Sequence, residues 1–140
     1  MLPIARRSRG SGRAVLGLAL LLAGCGKTPI PSGSSKDLLD PSQVLDPAPV
    51  VRISAAGVQP QVSHISSGVA VQFVNNDTVA HRMTAAPELN YGDCPEMATL
   101  PTLGPGASGT VTITRSVVIC AFHDAAAPSN MAFQGLLVAH

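Results

Sequence analysis

The chain has 140 residues, of which 12% are charged, with three cysteines, one tyrosine, three phenylalanines and no tryptophan, so any core must be built mainly from Val, Ile, Leu and Ala. Its formal net charge is +1, but four of the nine Lys/Arg residues lie within the first 13 positions, and without them five cations face eight acidic residues, a net of −3. A body with that balance has no basic patch to neutralise a phosphate backbone, which argues against nucleic-acid binding.

Arg6, Arg7, Arg9 and Arg13 form a basic start, followed by the uncharged run AVLGLALLLA from Ala14 to Ala23. That run has the length of a signal-peptide apolar region and falls short of the roughly 20 residues a spanning helix needs. It ends in Leu22-Ala23-Gly24-Cys25, which resembles the bacterial lipobox. The resemblance implies cleavage after residue 24, lipid on Cys25 and attachment to a membrane of the cell envelope. Gly26 and Lys27 provide no aspartate at the second mature position, which by resemblance to Gram-negative sorting favours the outer membrane, with the body facing the periplasm or the cell surface.

Residues 25–49 are rich in Pro, Ser and Gly and hold neither a helical nor an alternating pattern, so they read as a flexible tether. Leu38-Leu39 leaves a second reading, one turn packed on the domain. Residues 50–140 make one domain.

Within that domain short β-branched runs are broken by turn formers: VVRIS at 50–54, VAVQFV at 69–74, GTVTIT at 109–114, VVICAF at 117–122 and FQGLLVAH at 133–140. Asn75-Asn76-Asp77 closes the second run, a further strand is expected near Val79, and Leu103-Gly104-Pro105-Gly106 turns the chain before GTVTIT. Residues 87–101 read as an inserted loop with at most one helical turn. No long amphipathic helix is expected after Cys25. The pattern predicts an all-β fold, an antiparallel sandwich or Greek-key barrel of about seven strands.

His81 follows the VNNDTVA turn, and Cys120 and His123 stand near the end of the penultimate strand. Two imidazoles and one thiolate suit a copper ion moving between Cu(I) and Cu(II), the chemistry of a blue-copper site. At these residues the chain resembles the cupredoxins: F-V-N-N-D-x-x-x-H from Phe73 to His81, LGPGASGTVTIT, then VVICAFH and FQGLLV, over nearly all of 50–140. The resemblance implies a copper-binding electron carrier with His81, Cys120 and His123 as equatorial ligands and an exported redox protein as partner. The common C-x2-H-x4-M spacing is here H-x7-M, so Met131 is the axial candidate, Phe133 occupies the usual offset, and Met83 and Met97 are further candidates against the ordinary role of methionine as a core filler.

Cys94 opens an alternative. With Cys25 lipidated, Cys94 and Cys120 are an even pair in an oxidising compartment, and a disulfide between them would consume the thiolate that copper needs. The functional readings are therefore a tethered copper carrier, a metal-free disulfide-linked structural or interaction domain, and copper delivery by His81, His123 and methionines. No constellation typical of an enzyme is visible. His64 and His140 read as surface or fraying positions, and Asp124 as either an orienting partner for an imidazole or the cap of the Ala125–Ala127 turn.

Overall fold

The computed structural model describes residues 34–140, so the signal segment, Cys25 and the first part of the tether lie outside the described residues. Eight strands form two four-stranded sheets. One sheet has the order β2-β1-β4-β6, from β1 (Val50–Ser54), β2 (Gly57–Gln59), β4 (Ala70–Asn75) and β6 (Ser108–Thr112). The other has the order β3-β8-β7-β5, from β3 (Val62–Ile65), β5 (Met83–Ala85), β7 (Val118–Asp124) and β8 (Gln134–Ala139). Parallel pairs β1–β4 and β3–β8 accompany antiparallel pairs β4–β6, β5–β7 and β7–β8. Five of the expected runs thus become β1, β4, β6, β7 and β8, and the expected all-β sandwich is the observed fold with one strand more than about seven.

The core lies between the sheets and follows from strand alternation, since side chains two residues apart share a face. Val51, Ile53, Val71, Phe73 and Val111 point inward from the first sheet and meet Ile65, Cys120, Phe122 and Leu137 from the second. Phe73 and Phe122 meet edge to face, with centroids 5.2 Å apart. Gly135 on β8 sits under the Phe122 ring, and a Cβ there would lie 2.3 Å from its Cζ. A side chain at 135 and the Phe122 ring cannot occupy that space together.

The outer face of the second sheet carries its own apolar layer. Ile119, Ala121, Leu136 and Val138 point away from the main core and are covered by Leu38 and Ala86. Leu38 belongs to α1 (Ser35–Leu38), a single turn whose N-cap Ser34 accepts from the Lys36 N–H. Downstream, Asp46 N–H donates to the His64 carbonyl at 2.9 Å. The packed turn is therefore the observed state of Leu38, and part of the segment read as a free tether lies on the sheet.

The 87–101 insertion contains two 3-10 turns, Pro87–Leu89 and Pro95–Thr99. Met97 from the second is buried in the main core, and so is Met83 on β5, which is the ordinary packing role for both. Arg115 forks onto Glu96, with Nε at 2.9 Å and Nη2 at 2.7 Å, and also reaches the Asp93 carbonyl at 3.0 Å. Cys94, between those anchors, is bonded to Cys120 across a separation of 26 residues with Cα atoms 5.4 Å apart. No helix of the described residues is long and apolar enough to cross a membrane.

Candidate functional site

His81 lies where β4 ends, β5 begins and β7 ends. Its backbone pairs with Leu103 in both directions, N–H to carbonyl at 3.0 and 2.8 Å. Asn75 holds the intervening loop: its fully buried amide donates to the Val79 carbonyl at 2.7 Å and the Leu103 carbonyl at 2.9 Å, and its side-chain oxygen accepts from Asp77 N–H at 2.8 Å. A short amide that can both donate and accept locally is what a closed turn at this point requires. The NND sequence read as a strand stop is therefore the scaffold that fixes His81.

The imidazole is 4% exposed and bridges two carboxylates. Nδ1 lies 2.6 Å from Asp124 Oδ2, and Nε2 lies 3.2 Å from Asp77 Oδ2. Both ring nitrogens are thus engaged by carboxylate oxygens rather than turned toward a shared open position. Phe133 stacks on the ring with centroids 5.2 Å apart and planes inclined by 21°. Asp124 also accepts from Ala126 N–H at 3.1 Å and Arg82 N–H at 3.3 Å. Asp124 thus fills both roles considered for it, although the imidazole it orients is that of His81, not its neighbour His123. The Asp77 carboxyl is held below the usual aspartate range, chiefly by the Thr78 N–H and, against the opposing effect of burial, by the His81 hydrogen bond.

The residues expected to join His81 around copper are not brought to it. Cys120 and Asp124 share one face of β7 with Phe122 between them, and four residues of strand separate their Cα atoms by about 13 Å. Asp124, not Cys120, is the β7 residue at His81. His123 lies three residues from Cys120, an odd step on a strand, and so points to the opposite face, where its Nδ1 meets Glu88 Oε1 at 2.5 Å. Met131 is 52% exposed on the 3-10 turn Met131–Phe133, while Phe133, at the offset usual for the axial ligand, covers the His81 ring. Cys120 is the disulfide partner of Cys94 and has no thiolate to give. Among the described residues no group of three or more His, Cys, Asp or Glu is arranged to hold a metal ion. The chain's own donors therefore do not fit a thiolate–imidazole copper set, for three separate reasons: the bonded sulfur, the opposed faces of β7, and the engaged nitrogens of His81.

A second imidazole pair was not legible in the sequence. His64 Nδ1 and His140 Nε2 are 3.0 Å apart on the outer face of the β3–β8 pair. Neither residue frays: His140 N–H donates to the Ile65 carbonyl and Ser67 N–H to the His140 carbonyl, each at 3.0 Å. His64 is held below the usual histidine value by burial first and by His140 second. The two residues are 76 apart in sequence, and no local pattern announces a parallel strand pair of that reach.

The architecture and the placement of His81 at the end of the sandwich define a cupredoxin fold. Among solved structures the chain is similar to a purple cupredoxin from Nitrosopumilus maritimus, at 17% identity over 66% of this chain and 99% of that one, with a TM-score of 0.53. It is similar also to a reduced amicyanin variant, at 19% identity over 79% of this chain and 96% of that one, TM-score 0.54, and to a Cu(I) form of another amicyanin variant, at 17% over 70% and 87%, TM-score 0.52. No family model and no curated protein matches the chain.

Proposed function

We propose that the chain is an exported, lipid-anchored protein whose cupredoxin-fold domain is a metal-independent structural or interaction module, closed by a disulfide and a carboxylate–imidazole–carboxylate bridge. The observation that carries this reading is the Cys94–Cys120 disulfide, because it removes the one soft anionic donor on which a blue-copper site depends. The anchor rests on the basic start, the short apolar run and the LAGC sequence ending at Cys25. Its partners on this account are the membrane, through the lipid, and an envelope protein docking on the exposed loops.

The alternative, a tethered copper carrier exchanging electrons with an exported redox partner, draws its support from the neighbours whose structures are Cu(I) or reduced forms. For this chain it requires a reduced Cys120 and a different path for the end of β7. Copper delivery by His81 and His123 without the thiolate meets the same obstacle, since the two imidazoles are committed to carboxylates on opposite faces.

The test is to isolate the exported protein without reductant, assign the state of Cys94 and Cys120 by peptide mass spectrometry, then add Cu(II) and record the visible spectrum. A linked pair and no intense sulfur-to-copper band is the expected result. Two free thiols with that band would overturn it.

A further inference from the structure

The imidazoles of His64 and His140 lie at the end of the sandwich away from His81, on the outer face that the segment after α1 crosses. His64 Nδ1 and His140 Nε2 are 3.0 Å apart with the rings inclined by 30°. At that distance one nitrogen donates and the other accepts. The contact holds with both rings neutral or with one proton shared between them, but two imidazolium rings would set N–H against N–H.

Residues 38–46 form a strap beside this pair. Leu38 packs in the outer apolar layer with Val138, which lies opposite His64 in the β3–β8 ladder. Asp40 is close enough to His140 to feel its charge. Asp46 N–H donates to the His64 carbonyl at 2.9 Å. The strap is therefore fastened to the two strands that carry the imidazoles.

We propose that the His64–His140 pair is an acid-operated latch for this strap: residues 38–46 stay docked on β3 and β8 while the pair holds at most one proton, and leave when the second proton enters. The sign follows from which state accepts that proton. Docked, the rings must break their contact to hold two charges, and His64 is already held below the usual histidine value, by burial first and by His140 second. Undocked, each ring turns into water and protonates near its ordinary value of about 6.5. The undocked state therefore binds more protons below about pH 6.5, and docking weakens by up to about tenfold for each pH unit below it. Stability of the docked state is full above that pH and is lost as pH falls toward the lowered value of the docked pair.

The other charges on this face do not reverse the sign. Asp40 balances one proton on the pair and not two, and its carboxyl, held low mainly by the Ser42 N–H and hydroxyl, stays ionised through this range. Asp46 engages its carboxylate with Ala48 N–H at 3.0 Å. Lys36 and Asp37 are exposed on α1. β3 and β8 carry no titratable residue besides His64 and the adjoining His140. On β7, His123 is paired with Glu88 at the opposite end of the strand, and Arg115, ahead of β7, is held by Glu96.

Release changes the reach of the domain, a consequence that rests on the lipid anchor at Cys25. With the strap docked the free tether is residues 25–33, and with it released the tether is residues 25–49, so its fully extended span rises from about 30 Å to about 80 Å. The domain is held close to the membrane at neutral pH and ranges further from it in acid.

The experiment follows hydrogen exchange of the Asp46 amide in the whole exported chain in detergent from pH 7.5 to 5, normalised for the intrinsic pH dependence of exchange. Its protection is expected to fall by up to about tenfold per pH unit below about 6.5. In the double variant His64→Gln, His140→Gln, whose amides hydrogen-bond without titrating, protection should stay level with pH. Nitrogen NMR of the unsubstituted imidazoles needs no variant to fold: the second protonation of the pair should accompany the loss of Asp46 protection. Level protection in the unsubstituted chain, a fall that persists in the double variant, or a doubly protonated pair with the strap still docked would overturn the proposal. Mass spectrometry of Cys25 separates the latch from the anchor. Acid release in a chain without lipid upholds the latch and overturns the anchor, and level protection in a lipidated chain does the reverse.

Discussion

The Nδ1 of His81 lies 2.6 Å from Oδ2 of Asp124, and that contact closes the end of the sandwich where a strand-borne sulfur would otherwise be sought. Asp124 is 3% exposed and its two carboxylate oxygens make three hydrogen bonds, to His81 on one and to the N–H groups of Arg82 and Ala126 on the other, while its backbone carbonyl accepts from Ala127 N–H. Removing the acceptor of several buried hydrogen bonds leaves their donors unsatisfied. Asp124→Ala is therefore expected to destabilise the domain by about 1–3 kcal/mol in chemical denaturation. Asp124→Asn, which keeps one acceptor oxygen, should cost less than Asp124→Ala, and equal losses would show that the His81 contact has no specific weight.

The disulfide has a consequence separate from copper. It ties the 87–101 insertion to β7 by closing a loop of 26 residues, which the chain-entropy model values at roughly 3 kcal/mol. Cys94→Ser is expected to lower unfolding free energy by about 2–4 kcal/mol. Both sulfurs are fully buried, so mild reductant should leave the folded protein oxidised until denaturant is added. Rapid reduction under native conditions would contradict this placement.

Arg115 and Glu96 predict a pH dependence. The Arg115 hydrogen bonds hold the Glu96 carboxyl below its ordinary value against the opposing effect of burial. A carboxyl whose folded value is depressed adds stability that is present above its unfolded value, near 4.3, and is lost as pH falls through the lower folded one. Unfolding free energy should therefore decline below about pH 4.5. Arg115 is 44% exposed on its side chain, which keeps the contribution modest. In Arg115→Ala the decline should be shallower, and an unchanged acid profile would remove Glu96 from the account.

Leu38 tests the docked segment. It is 9% exposed and packs on the layer formed by Ile119, Ala121, Leu136 and Val138. Leu38→Ala should cost about 1–3 kcal/mol, at the low end of buried leucine truncations because only one side of the residue is enclosed. The same change should expose residues 34–46 to limited proteolysis. If the segment is cleaved as quickly in the unsubstituted chain, it is a free tether after all.

How far the sequence could be read depended on what each strand packs against. β1, β4, β6, β7 and β8 were legible because β-branched runs alternate or are fully buried there, whereas β2 has three residues and β3 carries Ser63 and His64 among its four, too polar and too short to stand out. The expected ligand residues are not brought together, for a geometric reason. A C-x2-H spacing brings both side chains to one ion when the strand ends between them, but β7 continues through Asp124, and an unbroken strand sends residues three apart to opposite faces. Where a strand ends is not written in its spacing. Cys94 was the residue that signalled the alternative, since in a chain expected to be exported a second cysteine outside the lipobox calls for a partner.

The central claim is that geometry, and not only the disulfide, keeps a thiolate away from His81. The measurement that tests it is the visible spectrum of Cys94→Ser after addition of Cu(II), with Cys120 now a free thiol. Phe122 stands between Cys120 and Asp124 on one face of β7, and His81 is already held by two carboxylates, so no intense sulfur-to-copper band is predicted. An intense band in that variant would contradict the account and return Cys120 to the metal.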